Sequence, residues 1–212
     1  MMEAAFVSMA PLIFAALGGL LSQRAGVLNI SLEGCIGAGA FTAAVLIKNG
    51  FPLGTAFMGA ILIGVLAGSL LGAFHLNLGA DLFITGLGLN LLLPSLTGLI
   101  SQALFGQQGI IRFSPQDTNA FPWLSISMAC ITGLMLRYSS CGRNVRAAGY
   151  GGEFLRERGI SMKSVRMSVL MTSSGLAALA GAVLSLRIGA FVPGMSAGKG
   201  WIALVMIWMG LR

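Results

Sequence analysis

Apolar residues run along this chain in long blocks separated by short polar breaks. A helix crossing a bilayer needs about 20 mostly apolar residues, which makes each block a candidate span. Ala4 to Leu21 is the first, with Pro11 able to kink it. Val27 to Ile47 is the second and carries Asn29 and Glu33 near its start. Gly54 to Phe74, Leu82 to Phe105, Phe121 to Leu136 and Val165 to Leu186 follow in order. Trp201 to Leu211 begins a seventh block and stops at roughly 16 Å of helical rise, half the hydrocarbon thickness. The pattern predicts an all-α, polytopic membrane bundle of about six complete spans plus a partial seventh. It reads as one transmembrane domain over residues 1–212 whose C-terminal part is missing, as in a fragment or truncated product.

Two blocks have further texture. Gly64, Gly68 and Gly72 recur at four-residue intervals, a ridge that lets another helix backbone come close and predicts a span buried in the bundle. The fourth block is interrupted by Gly86, Gly88, Asn90, Pro94 and Gly98. Between the blocks lie polar links: Ser22–Gly26, Lys48–Pro52, His75–Asp81, Gln107–Ala120 with Arg112, Pro115 and Asp117, and a Gly-rich outer loop from Arg187 to Gly200.

Composition agrees with the pattern. Hydrophobic residues make up 56% and charged residues 9%, far below the roughly 25% charge of a soluble domain. The net charge of +7 is concentrated rather than spread. Arg137 to Arg166 (RYSSCGRNVRAAGYGGEFLRERGISMKSVR) holds seven of the thirteen basic residues with only Glu153 and Glu157 as acids. A short loop this basic stays on the cytoplasmic side of a membrane, which explains the charge without nucleic acid. Alternating outward from it puts Arg24 inside, Lys48, Arg112 and Lys199 outside, and the N-terminus outside; broken or re-entrant first segments would reverse that last assignment. Glu3 and the absence of a basic lead make the N-terminus a first span rather than a cleaved signal. Cys35, Cys130 and Cys141 have neither disulfide nor zinc spacing and read as small buried hydrophobes.

Enzymatic chemistry finds no foothold. GMSAGKG around Lys199 lacks the first glycine and the closing Ser or Thr of a phosphate loop. The single histidine, His75, has no second metal ligand or nucleophile nearby, and no catalytic set converges at membrane depth. Glu33 is the most informative residue, because a carboxylate in a span costs on the order of 2.5–3.5 kcal/mol unless paired or facing water. It reads as a structural clamp, to Arg24 or to backbone donors at a helix break, or as a group on a solute pathway. Asn90, with Thr85 and Pro94, poses the same choice between pathway lining and helix–helix glue. The basic loop is longer than topology needs. Val145, Ala148, Phe154, Leu155 and Ile160 can give short helices an apolar side, which favours docking to a partner over contact with lipid head groups alone.

Four segments in order carry a family resemblance. Ala25 to Gly34 (AGVLNISLEG) resembles the GVLNIGLEG signature of ABC-importer permeases for nucleosides and simple sugars. Ile84 to Asn90 (ITGLGLN) is similar to the family's ISGLALN helix, and Ser196 to Leu204 (SAGKGWIAL) to its AGRGFIALA segment. In the basic loop, Gly142, Arg146, Ala147, Gly149, Gly159 and Ile160 fall in register with its cytoplasmic stretch. Together the four cover essentially the whole chain.

The resemblance implies a non-enzymatic permease subunit in a bacterial inner membrane. Its partners would be a cytoplasmic ATPase that carries the ATP and Mg, a second permease subunit (identical or not), an extracytoplasmic solute-binding protein and membrane lipid. This chain itself would bind no cofactor or metal. The solutes implied are nucleosides, ribose- or galactose-like sugars and riboflavin. The pathway candidates are Asn29, Glu33, Thr85 and Asn90. The candidates for coupling to the ATPase, within loop 137–166, are Arg143, Arg146, Gly149, Arg156 and Gly159. Gly151-Gly152-Glu153-Phe154-Leu155 stands where the family has Asn-Pro-x-Ala-Ala, which should loosen the coupling helix. The alternatives are a membrane assembly protein whose basic loop binds lipid, and a non-functional truncated permease.

Overall fold

The computed structural model describes residues 2–106, 109–114, 116 and 119–210, with side chains from Ser8 onward. The helices are α1 (Met2–Arg24), α2 (Leu32–Lys48), α3 (Leu53–Gly72, continued by a π-helical turn Ala73–Asn77) and α4 (Leu82–Phe105). They are followed by α5 (Phe121–Tyr138), α6 (Ser140–Gly149), α7 (Glu153–Glu157), α8 (Met162–Ile188) and α9 (Lys199–Gly210). Two-residue strands β1 (Ile111–Arg112) and β2 (Ala190–Phe191) pair antiparallel at one end of the bundle. The protein is thus all-α apart from that ribbon. Pro115, Asp117 and Leu211 lie outside the described residues.

The centre of the bundle is α8, which packs against α1, α2 and α3. Its sequence explains the position. Gly175, Ala177, Ala178, Ala180, Gly181 and Ala182 leave low stretches between its leucines, so several helix backbones can close on it at once. Of its apolar window 89% is buried, against 33% for α3 with its π turn and 22% for α4. These are the three helices long and apolar enough to cross a membrane by length and composition, and α9 is a shorter apolar helix. The outer faces of α3 and α4 present Met58, Leu62, Leu66, Leu91 and Leu99, the surface a lipid-embedded helix shows.

The glycine ridge does what its spacing predicts, with one correction. Gly64 meets Ser174 and Ala178, Gly68 meets Leu170 and Met171, and Gly72 meets Met167. The ridge is buried against α8, but α3 itself is peripheral, because its other face is exposed. A Cβ on Gly68 would stand 2.5 Å from the Leu170 carbonyl oxygen and 2.8 Å from the Met171 Cα, both backbone atoms that cannot swing aside. Gly68→Leu is expected to cost about 3 kcal/mol in thermal unfolding of the purified protein. Gly88→Leu is the control: a Cβ there has nothing within 4 Å, and its effect is expected to stay within about 0.5 kcal/mol.

Two boundaries differ from the sequence reading. The second block does not become helical at Val27; α2 starts at Leu32, and Val27–Ser31 is irregular backbone. The loop after α8 does not stay at the bundle's end, because its last residues fold back to meet the start of α2. The basic loop forms two short helices, α6 and α7, with Gly152 at φ 76° opening the second. The cysteines are free, and only Cys35 is buried; Cys130 and Cys141 are exposed, which corrects the expectation for those two. His75 lies in the π turn with Nδ1 2.9 Å from the Ala80 carbonyl.

Candidate functional site

The site is built on the break between α1 and α2. Arg24 ends α1 beside Gly149, at the basic end of the bundle. From there Ala25–Ser31 climbs without regular structure to the middle of α8. A backbone segment at that depth has no water to bond to and survives only if protein partners supply its hydrogen bonds.

Asn29 is the main supplier. It is fully buried, and its Nδ2 donates to Ser173 Oγ and Ser174 Oγ, both at 2.9 Å. Its Oδ1 accepts from the Ser31 N–H at 3.1 Å and from Ser31 Oγ at 2.7 Å. Its own N–H donates to Ser22 Oγ at 3.3 Å. Asn90 serves the same segment from α4. Its Nδ2 donates to the Ile30 carbonyl and its Oδ1 accepts from the Gly34 N–H, each at 2.8 Å. One amide thereby holds both sides of the break and satisfies a donor in the first turn of α2 that has no intrahelical partner. The signal for Ser173 and Ser174, two adjacent hydroxyls in an apolar span, was present in the sequence without its partner.

Glu33 lies in that first turn. Its Oε1 accepts from the Gly198 N–H at 3.0 Å. Gly198 immediately precedes α9, and its carbonyl accepts the Ile202 N–H, so Glu33 caps α9 as the glutamate of a capping box does, but from another helix. Of the two partners weighed from sequence, the backbone donor at a helix break is the one found. Gly200 makes the approach possible, since a Cβ there would stand 2.7 Å from the Glu33 nitrogen. The two helices start side by side and run in opposite directions: α2 ends near α4's end, with Lys48 Nζ 4.0 Å from the Phe105 ring, while Ile207 of α9 reaches Gly19 of α1. Both positive helix ends therefore face one carboxylate in mid-bundle. Glu33 Oε2 is enclosed with no hydrogen-bond partner among the described residues. Lys199, expected at the outer end, sits at this level instead, with Nζ 2.7 Å from the Met195 carbonyl.

A cavity of about 400 Å³ opens beside Glu33, with Asn90, Pro94, Ser196 and Trp201 in its wall. A second, of about 220 Å³, shares Pro94, Gly194 and Ser196 and continues past Thr97 and Ser101 to Phe191 at the ribbon end. Ser196 is 7% exposed, and its hydroxyl makes no hydrogen bond among the described residues. A wider groove, about 470 Å³ along α9, is lined by Leu28, Trp201, Leu204, Val205, Trp208 and Met209, a mostly apolar wall whose indole N–H groups are its polar side-chain atoms. Of the pathway candidates, Glu33 and Asn90 share a cavity wall. Asn29 is sealed from it, and Thr85 spends its hydroxyl on the Asp81 carbonyl at 2.7 Å. Sequence reasoning missed Ser196 and Trp201 as wall residues, although both lie in a segment that carries the resemblance.

The coupling candidates lie at the other end of the break. Arg143 is exposed and bonds Ser140 Oγ at 2.8 Å, and Arg156 and Gly159 are exposed on and after α7. Arg146 is half-buried beside Arg24 and Arg137. Gly149 packs on the Arg24 carbonyl and Gly26, and Arg166 Nη2 donates to the Ala148 carbonyl at 3.1 Å, clamping α6 to the start of α8.

Long apolar helices, a backbone break in mid-bundle and, beside it, a cavity with three polar residues in a mainly apolar wall define a multi-pass integral membrane protein of the discontinuous-helix kind. The profile of the family described as "Branched-chain amino acid transport system / permease component" matches residues 1–212. The chain belongs to this family of ABC importer permeases, transport subunits rather than enzymes. It is 30% identical to the nucleoside ABC transporter permease protein NupC of Lactococcus lactis, over 94% of this chain and 72% of that one. It is 29% identical to the guanosine ABC transporter permease protein NupQ of Bacillus subtilis, over 98% and 74%. With the autoinducer 2 import system permease protein LsrC of Salmonella typhi the identity is 25%, over 89% and 56%. No solved structure matches the chain.

Proposed function

We propose that this chain is a permease subunit of an ATP-driven importer for a nucleoside, a simple sugar or a riboflavin-like solute, with about six complete spans followed by the apolar helix α9. The observation that carries the reading is the pair of adjoining cavities, one at the ribbon end and one at Glu33, where α2 and α9 both begin. The Ser196 hydroxyl is free for a new hydrogen bond there, the enclosed Glu33 Oε2 would need a small opening to accept one, and Trp201 adds a flat aromatic face. Neutral solutes rich in hydroxyl donors suit such a wall, and anions do not. The named solutes of NupC and NupQ are of that kind.

Coupling runs through the break. A cytoplasmic ATPase, which holds ATP and Mg, docks on the exposed face of α6 and α7 around Arg143, Arg156 and Gly159. Its closure moves α6, and Gly149 hands the movement to Arg24 and Gly26, hence to the segment that ends at Asn29 and Glu33. Arg146 steadies the same helix. A second permease subunit, an extracytoplasmic solute-binding protein and a bacterial inner membrane complete the assembly. The basic end is cytoplasmic by the positive-inside rule, with the ribbon and the start of α1 outside.

Reversing the exposed charges, Arg143→Glu with Arg156→Glu, is expected to lower solute uptake in cells roughly tenfold at unchanged membrane levels, because lost docking contacts are worth about 1–2 kcal/mol. The ATPase should no longer co-purify. Full uptake and normal co-purification in that variant would sink the docking assignment.

A further inference from the structure

We propose that the groove where α1, α5 and α6 meet at the basic end binds the headgroup of an anionic phospholipid. The groove holds about 380 Å³ and is lined by Leu20, Arg24, Gly133, Leu136, Arg137 and Arg146. Each arginine comes from the last turn of a different helix. A cation suits the carbonyl end of its own helix, but that preference does not require three of them to share one groove.

Among the described residues no acid answers them. Glu33 is engaged in mid-bundle, Asp81 caps α4 through the Ile84 N–H, and Glu153 and Glu157 lie on α7. Among the described residues none of the three guanidinium groups is paired with a carboxylate. Three cations at one groove leave a field that only an added anion neutralises.

The rest of the wall selects the kind of anion. Leu20, Gly133 and Leu136 come from the long apolar helices α1 and α5, whose flanks continue into the span. A phosphodiester carrying acyl chains satisfies both parts: its oxygens take guanidinium donors, and its chains lie along the apolar helices. A free phosphate uses only the first part. A water-soluble acidic segment would find the more accessible Arg143 and Arg156 instead. The site is separate from the solute cavity and does not rest on the identity of the solute.

The test uses the purified permease in nanodiscs of phosphatidylcholine alone or mixed with phosphatidylglycerol, read by thermal unfolding and by native mass spectrometry of retained lipid. The wild-type protein is expected to unfold later in the mixture and to retain phosphatidylglycerol preferentially. Arg24→Gln with Arg137→Gln should lose about thirty-fold of that preference, at roughly fivefold per arginine, while unfolding normally in phosphatidylcholine. If the double variant does not fold, the exposed single change Arg137→Gln should lose about fivefold. Unchanged phosphatidylglycerol preference in the variant that folds overturns the proposal. So does an equal stabilisation by inorganic phosphate, which would mark a free-anion site. A variant that keeps its lipid preference but loses the ATPase would reassign the groove to protein docking.

Discussion

Asn29→Leu is expected to destabilise the purified permease by about 2–4 kcal/mol and to abolish most of its uptake. The side chain takes part in four hydrogen bonds, two given to Ser173 and Ser174 and two received from Ser31. Leucine fills a similar volume, so the loss is polar rather than a matter of cavity. Side-chain hydrogen bonds between membrane helices average only about 0.6 kcal/mol, because the partners find substitutes. Here one of the four has a poor substitute. The Ser31 N–H belongs to irregular backbone in mid-bundle, and leaving it unpaired costs about 1–3 kcal/mol. Ser173 and Ser174 recover part of their loss by turning to carbonyls of their own helix. Ser173→Ala with Ser174→Ala removes the same contacts from the other side. In a double-mutant cycle read by unfolding, the two sets should couple by about 1 kcal/mol or more. Additive effects would mean that Asn29 matters for some reason other than these bonds.

Glu33 separates charge from geometry. Glu33→Ala removes the cap from α9 and the carboxylate in the cavity wall, and is expected to lower both stability, by about 1–2 kcal/mol, and uptake. In Glu33→Gln the amide oxygen still accepts the Gly198 N–H, so unfolding should change by less than about 1 kcal/mol. On the proposed solute path, what is lost is a carboxylate acceptor for solute hydroxyls, stronger than a neutral one by about 1–1.5 kcal/mol. The expected signature is KM raised about tenfold with the maximal rate largely kept. A wild-type KM in that variant would leave Glu33 a helix cap alone and remove it from the solute path.

Much of this architecture could be read from the chain before any coordinates. Hydropathy located every long helix to within a few residues, because each block is apolar for its own reasons. The start of α2 escaped, and the cause is specific. Val27–Ser31 is apolar enough to pass for helix, and what prevents it is bonding from Ser173, Ser174 and Asn90, residues distant in sequence. The return of the chain to mid-bundle before α9 was hidden for the same reason. A glycine-rich stretch with a lysine looks like an outer loop until Glu33 is seen to hold it. Glu33, Asn29 and Asn90 stood out as polar residues in apolar surroundings. Their choice between clamp and pathway depended on which donors and acceptors were already spent. For Asn29 and Thr85 the hydrogen-bonding groups are committed to the protein, for Asn90 the amide holds the break while still edging the cavity, and for Glu33 one oxygen is left over.

The opposed starts of α2 and α9 bear on how the protein responds to voltage. Two helices that point away from a common centre have dipoles of opposite sense, which largely cancel along the bundle axis. Glu33 and Lys199, the formal charges at that level, also sum to zero. A membrane potential does work of about 2.3 kcal/mol per 100 mV on each net charge it moves, and the Glu33–Lys199 level carries none.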